Sequence, residues 1–200
     1  MRGDDVLQAA RAAAGFLGPL SGRDWSRPLP DLDFTIASVV AHACQGPLWY
    51  SLDLVGGPGD DAAFELQVKP DAEAARLLAS LHAVAAVCAA TVDSQPATAR
   101  GFHPMGSPDP SGFAAMACDE ILVHTYDAGT GLGEPFAPAP DLAGRLLARL
   151  FPWEEPDPDP WTALLRANGR IARPGQPRPR RWRWHCAPLA DWDGTVPVVS

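Results

Sequence analysis

Proline and glycine divide this chain into long helical segments and the loops between them. Proline is tolerated at helix starts and in turns but breaks a helix interior. Here Pro19, Pro28 and Pro30 fall in Gly18–Leu32, Pro58 and Pro70 in Gly56–Pro70, and Pro96, Pro104, Pro108 and Pro110 in residues 94–110. Between these loops lie stretches whose apolar residues recur at helical spacing. The first helix is expected over Asp5–Leu17, with Val6, Ala10, Ala13, Ala14 and Leu17 on one face. Thr35 is a candidate cap for a second, running through Ile36, Val39, Val40 and Ala43 to about Val55, with a kink expected at Pro47. Asp71 is expected to cap a third over Ala72–Val92, and Ser111 a fourth over Gly112–Thr130 that Gly131 and Gly133 end. Shorter helices are expected at Asp141–Phe151 and Trp161–Asn168. Few segments alternate with period two, so little strand is expected. The fold class is therefore all-α: a four-helix bundle with long crossover loops and a short irregular C-terminal extension. Residues 1–152 are expected to form the bundle, and 153–200 an acidic, proline-rich linker, a short helix and an Arg/Trp-rich tail packing on it.

Charge narrows the partners. The chain of 200 residues has a formal net charge of −8, unevenly spread. Residues 1–160 carry 9 basic and 22 acidic groups, whereas 161–200 carry 7 Arg and 2 Asp. So acidic a body repels nucleic acid, and no nucleic-acid partner is expected. The tail Arg180-Arg181-Trp182-Arg183-Trp184-His185-Cys186 can meet an anionic ligand or the acidic body itself.

Cys44, Cys88, Cys118 and Cys186 form no C-x-x-C pair and read as reduced, buried thiols. The first 20 residues lack the continuous apolar stretch of a signal peptide. The uncharged run Phe34–Leu52 carries His42, Gln45 and Pro47, which a membrane span disfavours. A cytoplasmic protein with no membrane partner, monomeric or homodimeric, is expected.

One constellation carries chemistry. The fourth helix contains Glu120-Ile121-Leu122-Val123-His124, so Glu120 and His124 lie one turn apart on one face among apolar neighbours. A carboxylate buried there needs a partner, and a divalent cation is one. Taken alone, such a pair more often lies on an exposed helix surface. His42, beside the buried stripe of the second helix, can supply a third ligand, although a single histidine on an apolar face is usually a satisfied core residue. Two His and one carboxylate with an open position is the catalytic zinc pattern, and nickel, iron and manganese accept the same ligands.

Asp24-Trp25 through Asp33, then Phe34-Thr35 and Val39-Val40-Ala41-His42, resembles the opening of the DinB-like proteins, and more closely of their mycothiol-dependent maleylpyruvate isomerase-like branch. Asp119-Glu120-Ile121-Leu122-Val123-His124-Thr125-Tyr126-Asp127 resembles that branch's second signature, Glu-x-x-x-His followed by an aromatic residue and an Asp. The resemblance covers about residues 1–150. It implies a DinB-like bundle holding a metal, zinc above all, on His42, Glu120 and His124. It also implies a low-molecular-weight thiol cosubstrate such as mycothiol, used as a metal-bound nucleophile. The chain departs from the pattern afterwards: the isomerase carries a further C-terminal domain where this chain has Trp161–Ser200.

The remaining candidates are loosely placed by sequence. His103, in a loop ahead of the fourth helix, and His185, in the tail, are candidate acid–base groups. Arg170, Arg181 and Arg183 are candidate contacts to substrate or thiol. Asp127, one turn beyond His124, can stand behind the metal site or face solvent, while Tyr126 is expected to point away. His82 reads as structural or partly exposed. The function expected is a metal-dependent enzyme using a small thiol for S-transfer to, or isomerisation of, a small electrophile, in detoxification or specialised metabolism. The alternative is a bundle that binds a small molecule without turning it over, for resistance or sensing.

Overall fold

The computed structural model describes residues 1–60, 65–179 and 181–197; Arg180 of the tail lies outside them. Six α-helices follow one another: α1 Gly3–Leu17, α2 Ile36–Gly56, α3 Ala74–Ser94, α4 Pro110–Leu132, α5 Pro140–Leu150 and α6 Pro160–Ala167. The described residues contain no strand, only isolated bridges between Pro28 and Thr35 and between His103 and Gly106.

Local chemistry sets the helix ends. Thr35 caps α2, its hydroxyl accepting from the Ser38 amide at 3.1 Å. α2 then runs as one continuous helix through Pro47. Two expected caps are corrected. α4 starts earlier than Ser111: Asp109 is its cap, accepting from the Gly112 amide at 2.7 Å, and Pro110 occupies the first turn where its missing N–H costs nothing. Ser111 is left free to accept from the Met1 ammonium group instead. α3 begins after Glu73, not at Asp71, and has no side-chain cap. At the far end of α4, Gly133 adopts φ 73°, a left-handed conformation that glycine takes without a Cβ penalty.

α2 packs on α3 and α4, and α1 packs on the same two helices. α1 and α2 therefore occupy opposite corners of the bundle. The connection between them and the one from α3 to α4 therefore join helices at opposite corners. The seam includes Val6, Ala13, Cys44, Leu81, Ala85, Cys88, Phe113, Met116 and Ile121, all buried. Each fully buried leucine or phenylalanine there contributes about 1.5–3 kcal/mol. All four cysteines are buried free thiols. α3 alone among the described helices is long and apolar enough to cross a membrane by length and composition; its Leu77, Leu81, Ala85 and Cys88 face the core.

The C-terminal segment joins the same core. Leu142, Leu146 and Leu150 of α5 and Trp161, Leu164 and Leu165 of α6 belong to it, as do Trp184 and Cys186 of the tail. A buried arginine anchors the tail's end. Arg149 pairs with Asp109 at 2.8 Å and donates to the carbonyls of His185 and Cys186. One ion thus ties α4, α5 and the tail together.

Candidate metal centre

α2 and α4 lie against each other, and their facing sides bring His42, Glu120 and His124 together. Glu120 Oε2 is 3.0 Å from His124 Nε2 and 3.7 Å from His42 Nε2. One ligand atom from each residue lies within 4.8 Å of the other two. A tetrahedral zinc with bonds near 2.1 Å separates its ligands by roughly 3.4 Å, so three donors this close can share one ion. Glu120 Oε2 is buried and makes no hydrogen bond among the described residues. Its neighbours there are the two imidazole nitrogens, and a divalent cation is one group that can satisfy all three. The donor set and the spacing fit a divalent metal. The His42 side chain is 48% exposed, against 13% for Glu120 and 11% for His124, so the cluster opens toward solvent at His42.

The surrounding groups hold this arrangement. His124 Nδ1 meets Asp127 Oδ2 at 2.9 Å, leaving Nε2 to face Glu120. Asp127 in turn receives Arg170, whose Nε and Nη2 donate to it at 3.0 and 2.9 Å. Burial works against a charged imidazole at His124, but Asp127 and Glu120 outweigh it and raise the group to about 9. For Glu120 burial favours protonation, yet His124, His42 and Tyr50 together hold the carboxylate below its usual range. His42 is lowered by burial, against the pull of Glu120.

Two residues in this layer escaped sequence reasoning. The Tyr50 hydroxyl donates to Glu120 Oε1 at 3.2 Å, and burial, then Glu120, push the phenol well above its ordinary range. Asp119 is 1% exposed and receives the Trp184 indole and the Asn168 amide, each at 3.0 Å. Burial, then neighbouring Glu120, push Asp119 up to about 7. The signal for Tyr50 is its spacing: His42, Gly46 and Tyr50 recur at i, i+4 and i+8 along one side of α2. Asp119 and Trp184 are 65 residues apart in sequence, and no local pattern pairs them.

The other sequence candidates divide. His103 stands near the cluster, its ring 5.8 Å from that of Tyr50 and 5.9 Å from that of Trp184. Its Nδ1 accepts from the Met105 amide at 3.2 Å, which leaves the proton on Nε2, and burial lowers its basicity. Arg183 braces this loop by donating to the Met105 carbonyl at 2.7 Å, so it serves the loop backbone. Arg170 reaches the site through Asp127. His185 is placed elsewhere: its ring meets the Pro188 carbonyl at 3.1 Å and its amide bonds Leu150, at the end of α5. Arg181 is exposed and lines a separate groove with Trp153 and Glu154. Tyr126 turns away from the cluster toward Trp161, as its position on the helix requires. His82 is exposed on α3. A cleft of about 410 Å3 is bordered by Asp127, Arg170, Arg178, Tyr126 and Trp182; none of the three candidate ligands lines it.

Fold and site define the class: a helical bundle with two imidazoles and one carboxylate converging from two helices. The profile of the mycothiol maleylpyruvate isomerase N-terminal domain family matches residues 6–129, which span both signatures, and the chain belongs to that family. Comparison with curated proteins and with solved structures finds no match.

Proposed function

We propose that the protein is a divalent-metal-dependent enzyme that uses a small thiol, mycothiol or a chemical relative, for S-transfer to or isomerisation of a small electrophile. The observation that carries this is the convergence of His42, Glu120 and His124 around a buried carboxylate oxygen with no hydrogen bond. Membership of a family named for a mycothiol-linked isomerase supports the thiol. Zinc is the metal first expected; nickel, iron and manganese accept the same donors. A divalent metal supplies the Lewis acidity that keeps a coordinated thiol deprotonated near neutral pH. The side chains then have positioning tasks. Asp127 fixes the His124 ring, Arg170 neutralises Asp127, and His103 offers an Nε2–H donor to an electrophile's oxygen. On this reading residues 1–152 form the metal-bearing bundle and 153–200 a tail that walls the site.

Elemental mass spectrometry on protein purified without chelator or affinity tag, beside a His124→Ala variant, tests it first. About one equivalent of transition metal, lost in the variant, is expected. Consumption of thiol with monobromobimane or chlorodinitrobenzene, dependent on that metal, is expected next. Saturable binding of a thiol with no product would overturn the enzymatic reading in favour of a binding bundle.

A further inference from the structure

The side of α2 that faces Glu120 is notched. His42, Gly46 and Tyr50 succeed each other one turn apart, and the Glu120 side chain passes over the middle position. A Cβ at Gly46 would lie 3.0 Å from Glu120 Cγ, 3.4 Å from Glu120 Cβ and 3.4 Å from Tyr50 Cε2. Glycine inside a helix is destabilising relative to alanine, so this glycine works against its own helix. What it provides is room for the carboxylate. Past the notch, the two carboxylate oxygens meet different surroundings. Oε1 accepts from the Tyr50 hydroxyl at 3.2 Å, while Oε2 points between the two imidazoles without a hydrogen bond.

We propose that Gly46 and Tyr50 are positioning residues that make Glu120 a one-oxygen ligand, binding metal through Oε2 alone. The inference rests on the metal reading above. A hydrogen bond to Oε1 engages one of its lone pairs and turns the carboxylate edge away from two-oxygen chelation. Three protein donors then leave a four-coordinate ion one open position, which a chelating carboxylate would fill. Tyr50 packs between the rings of Phe113 and His103, which hold its hydroxyl in place.

Cobalt(II) titration of the metal-free protein, followed by visible absorption, tests this alongside thermal melting of the metal-free chains. Wild type should take up one ion with the intense bands of four-coordinate cobalt. Tyr50→Phe keeps the ring and removes only the hydroxyl. Its Kd for cobalt should rise about 10–100-fold, the usual effect of losing a group that orients a ligand. Its bands should weaken as the carboxylate chelates. Gly46→Ala, which keeps the hydroxyl but crowds Glu120 and the Tyr50 ring, should raise Kd in the same direction. Tyr50→Phe with wild-type Kd and spectrum overturns this inference and leaves the metal reading standing. Wild type that takes up no cobalt or zinc overturns both.

Discussion

His124 Nδ1 and Asp127 Oδ2 stand 2.9 Å apart, three residues along the same helix, and the contact decides which way the imidazole faces. Helical geometry puts i and i+3 on one side, so α4 supplies both the candidate ligand and the group that orients it. Asp127→Ala removes that acceptor and leaves Arg170, whose side chain is 14% exposed, without its carboxylate. Zinc affinity should fall about 10–100-fold in a competition titration. The metal-free chain should also melt lower, because a partly buried guanidinium loses its partner.

Trp184 ties the tail to α4 through a single indole N–H on Asp119. Trp184→Phe keeps most of the buried ring area and deletes that donor. A buried acceptor left short of a bond costs about 1–3 kcal/mol. For a chain of 200 residues each kcal/mol lowers Tm by about 2–4 °C, so a fall of about 2–12 °C is expected. Asp119→Asn alone should also destabilise. A double-mutant cycle between the two positions should show a coupling that distant pairs lack.

Arg149 joins Asp109, the His185 carbonyl and the Cys186 carbonyl in one buried cluster. Arg149→Met replaces it with an apolar chain of similar length and leaves the Asp109 carboxylate without its cation. A loss of about 3–5 kcal/mol in urea unfolding is expected, in line with breaking one side of a buried pair. The Ser111 side chain keeps the Met1 ammonium group as a donor, so the N-terminus should stay docked.

Asp53 gives the protein a pH dependence away from the metal centre. Burial, then Asp60, push its carboxyl up to about 6 from 3.8. A carboxyl with a raised folded-state value favours the fold while protonated. Its contribution is fully present below the unfolded value near 3.9 and lost as pH rises through about 6. Asp53→Asn should therefore gain stability relative to wild type between pH 4.5 and 7.5. Since the group is partly solvated, the shift in Tm should be a few degrees at most, read from melts at the two pH values.

Much of this arrangement is legible in the sequence because much of it is local. The four long helices follow from proline placement and apolar spacing, and Thr35 caps α2 as its residue type suggests. Glu120 and His124 share a face by helical period alone. What the sequence hides is competition and distance. Ser111 and Asp109 are both good caps, and Asp109 wins because Pro110 fits the first turn after it. Asp119 looks like one more polar residue until a tail 65 positions away returns an indole to it. His185 sits beside Trp184 in sequence, yet its ring meets the Pro188 carbonyl only three residues on, away from the cluster. A segment without periodicity gives no rule for which side chains turn inward.

The donors of the candidate centre are held by the chain's own packing and hydrogen bonds. Glu120 and His124 share one rigid helix, Tyr50 and Asp127 restrain them from behind, and the core packs around all four. In a zinc finger the ion creates the fold. Where core packing and hydrogen bonds set the donors, as here, an ion that binds finds little ordering left to do. Such a preformed trap cannot choose its occupant by refusing to fold around the wrong one. Its occupancy follows the order in which divalent ions compete for nitrogen and oxygen donors, weighted by their supply. The metal found in a purified sample will then record the medium the cells grew in as much as any preference of the protein.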